Sequence, residues 1–214
     1  MTERLYLTQP ALCADIEILS CTPLEDGRHA VRLSATPFHP QGGGQPSDVG
    51  WLGEVEVLRV VSEGDDILHY TNAAVAPGPA VARVDAQPRQ LHTRLHSAGH
   101  VIGHVMAQLG WKPTKAHHWP GEGRVVGVSV GVGGEAAQEL EAEEIERRCN
   151  ALLAQDLACV LSLEAGLRTI GFGDLPAYPC GGTHVATLGE IGKIGIESVR
   201  VKKGEVSIRY DVAA

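Results

Sequence analysis

The sequence predicts an α+β protein in two parts, an N-terminal small β-barrel-like domain followed by an α+β domain with helices packed on a mostly antiparallel sheet. Three observations carry this. Over the first 85 residues apolar positions alternate in short runs broken by turn signals; after Pro88 the period becomes helical; past residue 155 short strands return. The expected domains are 1–85 and 86–214.

Element by element, RLYLT, DIEILSC, HAVRLSATPF, GWLGEVEVLRVV and DILHYT read as strands, with LEDGR, HPQGGGQPSDVG and SEGDD as the turns and loops between them. AVAPGPAVARVDAQP supplies a last strand and the junction. In RQLHTRLHSAGHVIGHVMAQLGW, residues Leu91, Leu95, Ala98, Ile102, Val105, Met106 and Leu109 share a broad helical face, and Gly110 ends the helix. RVVGVSVGV reads as a buried strand. Residues 135–155 read as an acidic amphipathic helix with Leu140, Ile145, Leu152 and Leu153 inward. CVLSLEA, LRTIG, GKIGIESVRVK and EVSIRYDV complete the strands.

Composition narrows the class. With 214 residues and 43% hydrophobic content the chain can bury a core, which argues against disorder. No apolar run approaches the ~20 residues of a membrane span, and the N-terminus has no apolar signal stretch. Five cysteines without a CxxC pair suit a reduced, cytoplasmic setting. The net charge of −8 argues against nucleic acid, but it is unevenly spread. Residues 1–85 carry 5 Lys/Arg against 12 Asp/Glu, and residues 86–214 carry 13 against 14. Without the acidic segment 135–148 the second part holds 11 basic against 8 acidic residues, so a local basic surface is allowed. Arg89, Arg94, Lys112, Lys115, Arg200, Lys202 and Lys203 are its candidates for RNA phosphates.

Chemistry concentrates in two stretches. LHTRLHSAGHVIGHV spaces His92, His96, His100 and His104 by four, so neighbours stack one turn apart on a helix. Any adjacent pair, 92/96, 96/100 or 100/104, can share an ion; the whole ladder is too long to do so. In YPCGGTHVATLGEIGKIGI a Gly-Gly-Thr turn lets Cys180 and His184 face one spot. A helical His pair with a Cys/His turn makes a three-nitrogen, one-sulfur set that suits zinc. The residues do not form an HExxH protease helix or a zinc-deaminase signature. GGGQPSD invites a phosphate-loop reading but lacks the Lys-Ser/Thr of a P-loop.

RLHSAGH together with PCGGTHVATLGEIGKI resembles the editing domain of alanyl-tRNA synthetase, and FHPQGGGQPSDVGWL resembles the Gly-rich segment that precedes it. The three blocks run in the same order from about Phe38 to Ile194. The aminoacylation and tRNA-recognising helical domains have no room, so the resemblance is to freestanding AlaX-type trans-editing proteins of medium length. It implies one Zn2+ held by His96, His100, Cys180 and His184. It further implies hydrolysis of mischarged tRNA(Ala), releasing serine and possibly glycine. The partner implied is the tRNA(Ala) acceptor end, with neither membrane nor DNA. Where the family's first motif carries Thr or a similar residue before its second ligand, this sequence has Gly99, which predicts a wider pocket.

Four protein ligands close a tetrahedron, whereas a catalytic zinc keeps a position open. A weakly held His184, five-coordination and a purely orienting ion all remain compatible with the residues. Sparing alanyl-tRNA requires a polar group that reads the serine hydroxyl; Ser97, Thr183 and Gln45 are the candidates, each inside a motif. A zinc hydrolase of small esters and a zinc-stabilised RNA-binding module without activity are the alternatives.

Overall fold

Alternation along the first 84 residues becomes a ring of strands in the computed structural model, which describes residues 1–131 and 136–213. Contacts divide the chain into Met1–Leu91 and His92–Ala214. The first unit runs β1 (Glu3–Arg4), a 3-10 turn (Leu5–Leu7), β2 (Cys13–Pro23), β3 (His29–Leu33), β4 (Ala35–Thr36), β5 (Gly50–Leu52), β6 (Val55–Glu63), β7 (Asp66–Thr71) and β8 (Gly78–Val84). Strands β2-β3-β7-β6-β5-β8 close into a barrel with every neighbouring pair antiparallel. β1 pairs with β4 in parallel.

The closure follows from the alternation. On β2, Ile16 and Ile18 face inward while Asp15, Glu17 and Leu19 face out. Ile16, Ile18, Val31, Leu33, Phe38, Val57, Val60 and Ile67 form the core, each such side chain stabilising by about 1.5–3 kcal/mol when fully buried. Gly50 lets β5 approach β8, since a Cβ there would lie 2.1 Å from the Arg83 carbonyl oxygen. The expected strand RLYLT holds only at its start. Leu5–Leu7 curl into a 3-10 turn that buries Tyr6, whose ring meets His39 edge-on.

The Gly-rich segment is a folded loop. Gly42 and Gln45 exchange both backbone hydrogen bonds (3.1 and 3.0 Å) around Gly43 and Gly44, whose φ values of 58° and 79° suit a tight hairpin turn. Further along, Asp48 accepts the His39 N–H at 2.5 Å and its own N–H donates to the His39 carbonyl. Arg89 closes the base: its Nε donates to Asp48 at 2.9 Å, its Nη2 also contacts Asp48, and Nη2 donates to the Pro37 carbonyl at 2.7 Å.

Helix α1 (Ala86–Gln108) starts three residues before the expected helix, because Pro88 fits within a first turn, where its missing N–H costs nothing. The division between units falls inside this helix, after Leu91. It is followed by β9 (Trp111–His117), β10 (Arg124–Ser129), α2 (Ala142–Leu153), β11 (Cys159–Glu164), β12 (Leu167–Phe172), β13 (Tyr178–Pro179), a 3-10 turn (Leu188–Ile191), β14 (Lys193–Lys202) and β15 (Glu205–Ala213). The strands form two sheets rather than one: β14-β15-β10-β9, antiparallel throughout, and β11-β12-β13. No helix among the described residues is long and apolar enough to cross a membrane.

The acidic helix is shorter than the expected 135–155. Residue 135 lies outside the described residues, and Gln138 lies ahead of the helix, its N–H donated to the Leu109 carbonyl and its carbonyl accepting Trp111 Nε1 at 2.8 Å. Leu140 is still buried, and Ile145, Cys149 and Leu153 form the inward stripe of α2. The strand expected over RVVGVSVGV stops at Ser129 because Val130 and Gly131 both donate to the Gly110 carbonyl; its last residue, Val132, lies outside the described residues. α2 guards the β14 edge: the Asn150 amide donates to the Ile194 carbonyl and accepts the Ile194 N–H, and Glu146 accepts the Ile196 N–H.

Candidate metal centre

Two local geometries meet in the second unit. The helical rise of α1 places His96 and His100 one turn apart with ring centroids 5.3 Å from each other. The Gly181-Gly182 turn after β13 brings Cys180 and His184 back toward them. One ligand atom from each of the four residues lies within 4.8 Å of all the others. Cys180 Sγ is 3.3 Å from His96 Nε2 and 3.2 Å from His184 Nε2. A tetrahedral zinc at ordinary bond lengths sets neighbouring N and S donors about 3.6 Å apart, so these contacts need shift only by tenths of an ångström.

Protonation fits the donor set. Burial, then the nearby Arg168 cation, pushes the His100 pKa down to about 4, which keeps its imidazole neutral with a lone pair to give. Burial raises the Cys180 thiol pKa, against the smaller lowering effects of the Gly182 N–H and Arg168; a cation among these donors would favour the thiolate. Gly182 N–H points at Cys180 Sγ at 3.4 Å, and Arg168 Nη1 donates to the Cys180 carbonyl at 2.5 Å, fixing the turn. The residues present therefore fit a zinc ion by number, type and spacing.

Of the expected hydroxyl readers, Ser97 supports the cluster. Its Oγ accepts the Val185 N–H at 3.2 Å and lies 3.3 Å from His184 Nδ1. With the proton on Nδ1, the His184 Nε2 lone pair is left toward Cys180. His184 is thus tethered through its ring and not loosely held. Thr183 Oγ1 pairs with Thr93 Oγ1 at 2.6 Å. Gln45 belongs to the barrel unit, fully buried in the Gly-rich turn. Two expected phosphate ligands are committed elsewhere. Arg89 is buried against Asp48, and Arg94 donates to the Ile191 and Ala213 carbonyls.

Gly99 does not widen a pocket. A Cβ there would lie 2.2 Å from His118 Cε1, because the His118 ring occupies that space and stacks on His96 with centroids 4.5 Å apart. His118 Nδ1 is 2.6 Å from the Tyr210 hydroxyl, which donates to the Leu95 carbonyl at 2.9 Å. A carbonyl only accepts, so the hydroxyl proton is committed and Nδ1 is the donor to the phenol oxygen. Burial, reinforced by His100 and His117, lowers the His118 pKa to about 3, which holds it neutral. No spacing in the sequence links His118, Tyr210 or Arg168 to the ladder. The only signal for His118 is the unusual KAHHW doublet at a strand end.

The fold and the cluster define a two-unit α+β protein with a His3Cys group that could hold a metal ion. Comparison with known proteins then places it. Residues 167–208, which contain Cys180 and His184, match the family described as threonyl and alanyl tRNA synthetase second additional domain. The alanyl-tRNA editing protein Aarsd1-A of Xenopus laevis is 35% identical over 111 residues, covering 46% of this chain and 27% of that protein. The alanine–tRNA ligase of Salinibacter ruber is 30% identical over 216 residues, covering 85% of this chain and 22% of the ligase. That of Korarchaeum cryptofilum is 32% identical over 212 residues, covering 83% of this chain and 23% of the ligase. The chain is similar to alanyl-tRNA editing proteins and alanine–tRNA ligases, and it spans about a quarter of the length of these curated relatives.

Proposed function

We propose that this chain hydrolyses the aminoacyl ester of mischarged tRNA(Ala), releasing serine and glycine and leaving alanyl-tRNA intact. The observation that carries the reading is the convergence of His96, His100, Cys180 and His184 within 4.8 Å from two separate motifs. The names of the relatives, alanyl-tRNA editing protein and alanine–tRNA ligase, supply the substrate class.

In this reading the four side chains hold one zinc ion. A zinc ion supplies Lewis-acid polarisation of an ester carbonyl and acidification of water at neutral pH. The chain's own residues keep the donors in register. Ser97 holds the His184 ring by its Nδ1 edge, His118 lies flat against His96, and Gly182 N–H supports the Cys180 sulfur. Ser97 and Thr183 act as positioning residues around the ligands. The partner is the acceptor end of the tRNA, with Lys112, Lys115, Arg200, Lys202 and Lys203 the remaining candidates for its phosphates, and the setting is cytoplasmic.

Deacylation of Ser-, Gly- and Ala-tRNA(Ala), with and without a chelator, tests the reading. Serine and glycine release that is lost on chelation and restored by zinc is the expected result. Cys180→Ala should lower both bound metal and turnover by more than the ~10–100-fold typical of changes one step removed from a metal. Failure to release serine or glycine in zinc-replete buffer overturns the proposal, as does rapid release of alanine.

A further inference from the structure

His104 sits one turn past His100 on α1 and is 8% exposed, and its Nδ1 is enclosed with no hydrogen-bond partner among the described residues. The Gln108 amide nitrogen lies 2.9 Å from His104 Nε2, which therefore accepts and leaves the ring proton on Nδ1. A buried N–H left unpaired is costly, so nearly all of them have a partner. This one borders a small pocket. His100, His104 and Tyr178 contribute to its wall, together with the apolar Val101, Ile170, Phe172 and Leu175. Gln108, on the other edge of the ring, is not part of that wall. The cavity measures about 10 Å³, the space of a single water-sized group.

We propose that this pocket receives the side-chain hydroxyl of the substrate's amino acid and that His104 Nδ1–H is the group that reads it. The inference rests on the deacylase reading above and adds the element that reading lacks. Telling a seryl from an alanyl ester requires one polar group in an otherwise apolar space. Ser97 is bound to Val185 and His184, and Thr183 to Thr93; His104 alone of these presents an enclosed, unpaired donor. His100 belongs both to the pocket wall and to the cluster, so an ester held at the cluster lies beside the pocket. A hydroxymethyl group satisfies the N–H, a methyl group strands it, and glycine does not reach it.

The test compares serine and glycine as substrates. In zinc-loaded protein, His104→Phe keeps the ring's bulk and removes its nitrogens. The ratio of kcat/KM for Ser-tRNA(Ala) over Gly-tRNA(Ala) should fall at least about tenfold. His104→Gln, which retains an N–H, should keep more of that ratio. A second readout needs no turnover or variant. In 15N-histidine-labelled protein the His104 Nδ1 resonance should shift with a non-hydrolysable seryl amide of 3′-amino-adenosine and stay in place with the glycyl amide. An unchanged ratio in a folded His104→Phe protein, or an unmoved Nδ1 resonance, overturns the hydroxyl pocket alone. A wild-type protein that cleaves neither ester overturns the deacylase reading and the pocket with it.

Discussion

Both units bury histidine, and they do so to opposite effect. In the barrel, His69 is completely enclosed with both ring nitrogens partnered, Nε2 to Thr36 Oγ1 at 2.8 Å and Nδ1 to the Val31 carbonyl at 3.3 Å. Asp48 and Arg89 likewise satisfy each other and the loop base. In the second unit, His96, His100 and His184 turn nitrogens toward one another and toward a thiol. Buried polar groups that end on partners within the protein specify a fold, whereas groups whose lone pairs converge on one point specify a ligand. The same residue type thus serves as packing in one unit and as a site in the other.

The comparison can be broken at three places. The largest effect is expected at the barrel's buried ion pair. Asp48→Ala strands Arg89 and the His39 N–H, and should cost about 3–5 kcal/mol in urea denaturation while leaving zinc content unchanged. A loss below about 1 kcal/mol would mean the pair behaves like a surface one. Next comes Gly99→Ala. Glycine to alanine inside a helix ordinarily stabilises by about 1 kcal/mol, but here the new Cβ meets His118. The sign should reverse, to a loss of about 1–3 kcal/mol in thermal or chemical melts. A stabilised variant would show that His118 is not locked against α1.

The smallest effect per step is a pH dependence. Burial lowers the His69 pKa to about 4 from 6.5. Between those values the unfolded chain binds a proton that the folded barrel refuses, so stability is full above about pH 6.5 and declines toward pH 4. The slope from this group is about 1.4 kcal/mol per pH unit. Subtracting the profile of His69→Gln from that of the wild type isolates it, and identical profiles would contradict a neutral, enclosed His69.

What the sequence disclosed was whatever depends on local spacing. The four-histidine ladder needs only a helix, and the Cys180/His184 pair only a tight turn, so both are visible in the sequence, whereas the choice of His96 and His100 among the ladder's three pairs rests on the family resemblance. Alternation likewise marked β2, β3, β6 and β7. Spacing could not show that residue 118 returns from a strand to lie on residue 96, or that Tyr210, near the end of the chain, caps that ring. Nor could it show the start of α2, because the backbone of Gln138 is claimed by Leu109 and Trp111 across the fold. Nor could spacing show that His104 meets walls contributed by β12, some 65 residues further along.

The nested fit of Gly99 and His118 also couples two positions that are distant along the chain. A Cβ at 99 would enter the space of the His118 ring, so substitutions at the two positions should be non-additive, a side chain at 99 costing less once 118 carries a smaller residue.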